Sequence, residues 1–283
     1  MKDVRIEKAE KLGLCFGVRR AIELLKEAAT KYGQIETLGP VAHNRLLVET
    51  LTSLGAKPIT RLDQAEGRIV AITTHGASPA TLSEIKARRV RIIDTTCPIV
   101  RKAQNAAKEL AEAGFEVIIF GDAKHSEVKG LLGWAGEKGV AALDIKQIGR
   151  TVESSSRLGI ISQTTQTRSA FLEFAGQLVE TASPKTEEIR FVNTLCKVTQ
   201  AQQEAALELA RRSQLMIVIG GGNSANTRHL VEICSPVVET HSVETANEVD
   251  ASWARGKHRI GVTAGASTPD EAVEELVARL RSL

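Results

Sequence analysis

A chain of 283 residues can bury roughly three-quarters of the surface its unfolded form exposes, so a self-sufficient core is expected. Its 42% apolar and 25% charged residues are those of an ordinary soluble globular protein. A net charge of +3 and 3% aromatic residues supply neither the field nor the stacking surface of a nucleic-acid binder. The N-terminal stretch MKDVRIEKAEKLG is charged throughout and lacks the apolar core of a signal peptide. No apolar run approaches the ~18 residues of a membrane span, so a cytoplasmic protein without membrane attachment is expected. The four cysteines are scattered with no CxxC pair, which argues against both a disulfide framework and a zinc ribbon.

In chain order, three segments open on cysteine and continue with helical periodicity. The first follows Cys15, with Val18, Ile22, Leu25 and Ala29 on one face. The second follows Cys97, with Val100, Ala103, Ala107 and Leu110. The third follows Cys196, with Val198, Gln202, Ala205 and Leu209, the glutamine interrupting an otherwise apolar stripe. Each predicted helix leads to a β-prone run ending in glycine and polar residues: IETLGPVAHN (35–44), VIIFGDAKHSE (117–127) and MIVIGGGNSAN (216–226). An arginine-led strand follows in each: RIVAITTHGAS (68–78), RLGIISQTTQT (157–167) and RIGVTAGAST (259–268). Short apolar runs between helices predict buried parallel strands, and ligands in such sheets bind beyond the strands' carboxyl ends. The pattern predicts an α/β protein of three pseudo-equivalent units, residues 1–96, 97–192 and 193–283, whose six polar strand ends converge. The last helix is expected to start with Thr268 as N-cap, Pro269 at the first helical position and Glu271 reaching back.

Cysteine at the start of a helix gains acidity from the helix dipole, which prepares Cys15, Cys97 and Cys196 as a shared ligand set. Three thiolates and one vacant position suit an iron–sulfur cluster with an exchangeable iron, although the residues also allow a Cys3His zinc site. Cys234 lacks the repeat context and reads as core. His43, His75 and His125 fall at strand-to-loop boundaries, whereas His229, His241 and His258 read as surface residues. Asn223, Ser224, Asn226 and Ser267 add neutral donors, and the backbone of Gly220–Gly222 is expected to cradle an anion. Glu127, two residues after His125, is a candidate proton donor once burial raises its pKa. A three-cysteine dehydratase that needs no electrons, or a non-catalytic redox sensor, stays open at this point.

The stretches GLCFGVRRAIE, LGPVAHN, THG, DTTCPIV, GDAKHSEVKG, SQTTQT, the Cys196 segment, NSANT and TAGASTPD run in this order from residue 13 to 270. As an ordered set they closely resemble the 4-hydroxy-3-methylbut-2-enyl diphosphate reductase family of the non-mevalonate isoprenoid pathway. The resemblance implies a trefoil of three α/β units around a [4Fe–4S] cluster bound by Cys15, Cys97 and Cys196. It implies a diphosphate held by His43, His75, His125, Ser224, Asn226 and Ser267, a substrate hydroxyl oriented by Thr164, and Glu127 as proton source. It further implies a two-electron reductive loss of water that yields isopentenyl and dimethylallyl diphosphates, with ferredoxin or flavodoxin as electron donor. The chain departs from the family pattern at Ala225, where serine is common, and at Lys197-Val198-Thr199, where an aromatic residue often follows the third cysteine.

Overall fold

The computed structural model describes residues 4–283. From β1 (Arg5–Lys8) the chain enters α1 (Phe16–Tyr32), β2 (Ile35–Leu38), α2 (Arg45–Ser53), β3 (Ala56–Ile59), β4 (Ile69–Ile72), α3 (Pro79–Ala87) and β5 (Arg91–Asp94). It continues through α4 (Pro98–Glu112), β6 (Glu116–Phe120), α5 (Ser126–Ala135), β7 (Gly139–Ala142), α6 (Gly149–Ser154), β8 (Arg157–Ser162), α7 (Arg168–Thr181) and β9 (Glu188–Phe191). It closes with α8 (Lys197–Ala210), β10 (Leu215–Ile219), α9 (Ala225–Cys234), β11 (Thr240–Val243), β12 (Arg259–Ala264) and α10 (Asp270–Arg281). The chain forms two compact units. One comprises the segments up to Ile22, Ala42–Leu54 and Lys197–Leu283; the other comprises Glu23–Val41 and Gly55–Cys196.

The first unit holds one four-stranded parallel sheet, ordered β1-β12-β10-β11. All five residues of β10 are buried, and their alternation splits them between two layers. Leu215, Ile217 and Ile219 pack with Val273, Leu276 and Leu280 of α10. Met216 and Val218 pack with Ala206 and Leu209 of α8 and Leu230 of α9. A strand covered on both faces has no polar positions, which is why this run is continuously apolar in the sequence.

The second unit holds two four-stranded parallel sheets, ordered β3-β2-β4-β5 and β7-β6-β8-β9. The same division recurs in β6. Val117 and Ile119 join Ala103, Ala107 and Leu110 of α4, whereas Ile118 and Phe120 join Phe171, Phe174 and Leu178 of α7. The three sheets share one design, with the six predicted apolar runs as the two central strands of each. In each, the strand order reverses between those two central strands, which sets the crevice for a ligand at their carboxyl ends.

Three expectations change. Arg5–Lys8, placed by sequence with residues 1–96, pairs with β12 in the sheet of the third segment. This strand precedes Cys15 just as β5 precedes Cys97 and β9 precedes Cys196. Of the face expected on α8, Gln202, Ala205 and Leu209 are buried, but Val198 is 40% exposed and Thr199 is buried in its place. At the start of α10, Thr268 gives its hydroxyl to the Ile219 carbonyl (3.1 Å) and makes no side-chain cap, so Pro269 is the N-cap.

The close fit of the cysteine-led helices depends on two glycines. A Cβ on Gly159 of β8 would lie 2.9 Å from the Leu110 methyls of α4. One on Gly261 of β12 would lie 2.9 Å from Leu209 Cγ of α8 and 2.3 Å from Met216 Sδ. In the first segment the equivalent positions are Ala28 and Val70, with small and large exchanged. Gly261→Ala is therefore expected to destabilise the protein by about 1–3 kcal/mol through overpacking. Gly176→Ala, in open space on the exposed face of α7, is expected to stabilise it by about 0.5–1 kcal/mol. Paired urea titrations of the two variants check both signs.

Candidate active site

The three cysteines occupy one repeated backbone construction. The Cys97 N–H donates to the Thr74 carbonyl (3.1 Å), that of Cys196 to Thr164 (2.9 Å), and that of Cys15 to Ala266 (2.9 Å). Each acceptor lies two residues past the end of the second central strand of its sheet: β4, β8 and β12 respectively. The pseudo-repeat read from sequence is thus a repeat of hydrogen bonding.

Within the second unit, Cys97 caps α4 with extended backbone (φ −59°, ψ 133°), and Pro98 takes the first helical position. Burial nevertheless pushes the Cys97 thiol up, outweighing the N–H groups of Ile99 and Val100 that favour its thiolate. The helix start alone does not make this cysteine acidic, contrary to the sequence expectation. The charges of Cys196 and Glu127 push it further in the same direction, so both act on it electrostatically. Cys234 is fully buried, and burial raises its thiol to about 11, as suits a core residue.

Glu127, in the first turn of α5, is 2% exposed. Its carboxylate accepts two hydrogen bonds from one residue: Thr164 N–H to Oε1 (2.6 Å) and Thr164 Oγ1 to Oε2 (3.0 Å). Both bonds favour the charged form, yet burial dominates and raises the pKa from 4.5 to about 7. Because the Thr164 carbonyl also accepts the Cys196 N–H, one residue connects the acid to a cysteine. His125 caps α5, its Nδ1 accepting the Glu127 N–H (3.1 Å), which places the ring proton of the neutral form on Nε2. The His75 ring stands edge-on to it, with centroids 5.4 Å apart. Gln163, given no role by sequence, is fully buried beside them. Its Oε1 accepts the Asp122 N–H (3.2 Å) and its Nε2 donates to Thr165 Oγ1 (3.3 Å).

In the first unit, Ser224 caps α9 by accepting the Thr227 N–H (3.3 Å), at the position His125 holds on α5. Asn226 is 4% exposed, and neither Oδ1 nor Nδ2 has a protein partner among the described residues. Buried amides are almost always paired, so this one leaves both a donor and an acceptor available to a partner from outside the protein. Ser267 is buried just after β12. His43 precedes Asn44, the cap of α2, and burial lowers its pKa, favouring the neutral ring. Gly221 packs flush on this turn, since a Cβ there would lie 2.0 Å from the His43 carbonyl oxygen.

The expected anion cradle at Gly220–Gly222 does not form. Gly220 N–H donates to the Val243 carbonyl (2.9 Å) and Gly222 N–H to Glu244 Oε1 (2.6 Å). The glycines instead allow close packing, and nothing in the residue pattern marks Glu244, 22 positions on, as the acceptor for one of their donors. His229, read as a surface residue, is 7% exposed, with Nδ1 2.8 Å from Glu232 Oε2. His258 is exposed as expected, and His241 stacks on Trp253 at 4.0 Å between centroids.

Glu127 gives the fold a pH signature. Its raised pKa means that its favourable contribution is complete below about pH 4.5 and is lost as pH rises through about 7. Glu127→Gln, which cannot ionise, is expected to gain up to about 3 kcal/mol on the wild type between pH 4.5 and 8. Urea unfolding of both proteins in metal-free form across that range measures the difference.

The family model described as LytB protein matches residues 6–281. A 4-hydroxy-3-methylbut-2-enyl diphosphate reductase of Dehalococcoides mccartyi (strain CBDB1) is 45% identical over 280 residues, 99% of each chain. The enzyme of that name in Geobacter sulfurreducens is 40% identical over 274 residues, 96% of this chain and 95% of the relative. A solved structure of (E)-4-hydroxy-3-methyl-but-2-enyl diphosphate reductase is 36% identical, with TM-score 0.71 and complete coverage of both chains. The Plasmodium falciparum reductase structure, at 24% identity, shares the fold, with TM-score 0.89 over 98% of this chain and 87% of that one. This protein belongs to the LytB family and is an oxidoreductase.

Proposed function

We propose that this chain is a 4-hydroxy-3-methylbut-2-enyl diphosphate reductase acting in the cytoplasm. It removes the allylic hydroxyl as water with two electrons and two protons, giving isopentenyl and dimethylallyl diphosphates. The observation that carries this reading is the buried pair of Glu127 and Thr164, joined through the Thr164 carbonyl to Cys196. A carboxyl with a pKa near 7 holds a deliverable proton at neutral pH, which an acid for hydroxyl loss requires.

Cys15, Cys97 and Cys196 would hold a [4Fe–4S] cluster in a trefoil of the three segments. Their fit rests on three sulfur donors set by the same hydrogen bond and on the charge coupling between Cys97 and Cys196. When bound, such a cluster supplies electrons and an iron without a protein ligand that polarises the substrate oxygen. Ferredoxin or flavodoxin would supply the electrons.

The remaining work falls to side chains. His43, His75, His125, Ser224, Asn226 and Ser267 are the proposed diphosphate ligands, and the unpaired buried amide of Asn226 is the strongest support for that set. His125 presents Nε2–H because its Nδ1 is already an acceptor. Neutral N–H and O–H donors bind an anion through charge-assisted hydrogen bonds. Thr164 Oγ1 orients the departing hydroxyl. With Glu127 protonated on Oε2, the bond between them runs the other way: Glu127 donates to Thr164 Oγ1, which passes its own proton to the substrate oxygen. Glu127 is left ionised and held by the Thr164 N–H until it takes up a proton again.

Replacing Cys15, Cys97 or Cys196 with Ser is expected to abolish most iron binding and turnover, while Cys234→Ser keeps both. Iron content after anaerobic reconstitution and an assay with reduced methyl viologen check this. A requirement for Cys234 in place of one of the three would overturn the ligand set. Glu127→Gln is expected to lower kcat by about 10²–10⁴-fold with KM little changed, the range for loss of a general acid. Near-normal turnover would remove Glu127 from the mechanism.

A further inference from the structure

The glutamine that interrupts the apolar stripe of α8 has no part in the mechanism above. Gln202 is 3% exposed, and its Nε2 donates to the Gly13 carbonyl at 2.8 Å, across 189 positions of sequence. The sixth residue after the other two cysteines is Ala21 or Ala103, each fully buried. Packing at this position is thus met by a methyl group elsewhere in the same repeated construction. The amide is a specific addition, and it has a cost, because its Oε1 is buried without a partner among the described residues.

Gly13 lies two residues before Cys15, in the turn that delivers the thiol to the start of α1. It has φ +74°, a conformation that favours glycine. Its N–H donates to the Ala264 carbonyl (3.2 Å), and the Cys15 N–H donates to Ala266 (2.9 Å). The Leu14 carbonyl between them accepts from Arg19 Nε (3.2 Å). Arg19 is half exposed and shares its guanidinium with Asp270, so water can replace it and it holds the turn weakly. Gln202 is the buried restraint. Neither Cys97 nor Cys196 has a glycine in the segment that links it to the preceding strand, residues 95–96 after β5 and 192–195 after β9.

We propose that Gln202 is a positioning residue for Cys15, its side-chain amide fixing the Gly13 turn that presents the thiolate. The ligand role of Cys15 is part of the reading above, whereas the restraint on the turn is independent of it. Gln202→Met keeps the length and volume of the side chain and removes the donor. Gln202→Leu, which has no polar atom, removes it by a second route should methionine disturb the packing of α8. The direct test is site-resolved alkylation of the anaerobic metal-free protein with iodoacetamide, followed by peptide mass spectrometry. Loss of one net hydrogen bond is expected to raise the Cys15 rate by about five- to tenfold while Cys97 stays at its wild-type rate. After reconstitution, the variants are expected to release iron to a chelator faster than wild type. An unchanged Cys15 rate in both variants, or an equal rise at every cysteine, would overturn the proposal by leaving Gln202 as packing alone. If Cys15→Ser kept its full iron content, the ligand assignment would fail, while the alkylation result would still decide the role of Gln202.

Discussion

One backbone hydrogen bond, made three times, organises this protein. A cysteine N–H donates to a carbonyl two residues past the end of a buried central strand, in all three sheets. Strand ends are rigid because both faces of the central strands are covered, and rigidity at the acceptor becomes precision at the thiol. The helix that follows each cysteine is held against its sheet by apolar contacts, including Leu110 over Gly159 and Leu209 over Gly261. Packing far from sulfur therefore governs where sulfur lies.

The second governing effect is dehydration of charge. Glu127 sits where two hydrogen bonds favour its ionised form and burial opposes them, and burial prevails. A more exposed glutamate with the same partners would ionise well below neutral pH and have no proton to give. Cys97 shows the same balance, with helix-start N–H groups overruled by desolvation. Both groups are thus poorly stabilised as anions by the protein alone, a condition that favours a cationic or proton-accepting partner in the site.

Much of this was legible in the sequence. The six central strands announce themselves as continuous apolar runs, and the cysteine-led helices by their periodicity. The edge strands do not: β3 contains Pro58, and β5 and β9 each carry two charged residues in only four positions. The pairing of β1 with β12 was hidden because a four-residue strand carries no address for a partner some 250 residues away. In the site, the histidines, Asn226 and Glu127 were visible as polar residues at strand ends. The failure of the Gly220–Gly222 cradle was not, since Val243 and Glu244 come from a different strand and the turn after it. Gln202 was visible only as an irregularity, and its meaning required the Gly13 carbonyl.

In the proposed site three equivalent cysteines, and no fourth residue, hold a four-iron cluster. The Mössbauer spectrum of protein reconstituted anaerobically with ⁵⁷Fe tests it most directly. Three thiolate-bound irons and one without a protein ligand predict two iron environments in a 3:1 ratio, the minor one shifting when the diphosphate substrate is added. Four equivalent irons unmoved by substrate, or a protein that takes up zinc and no iron, would overturn that ligand set.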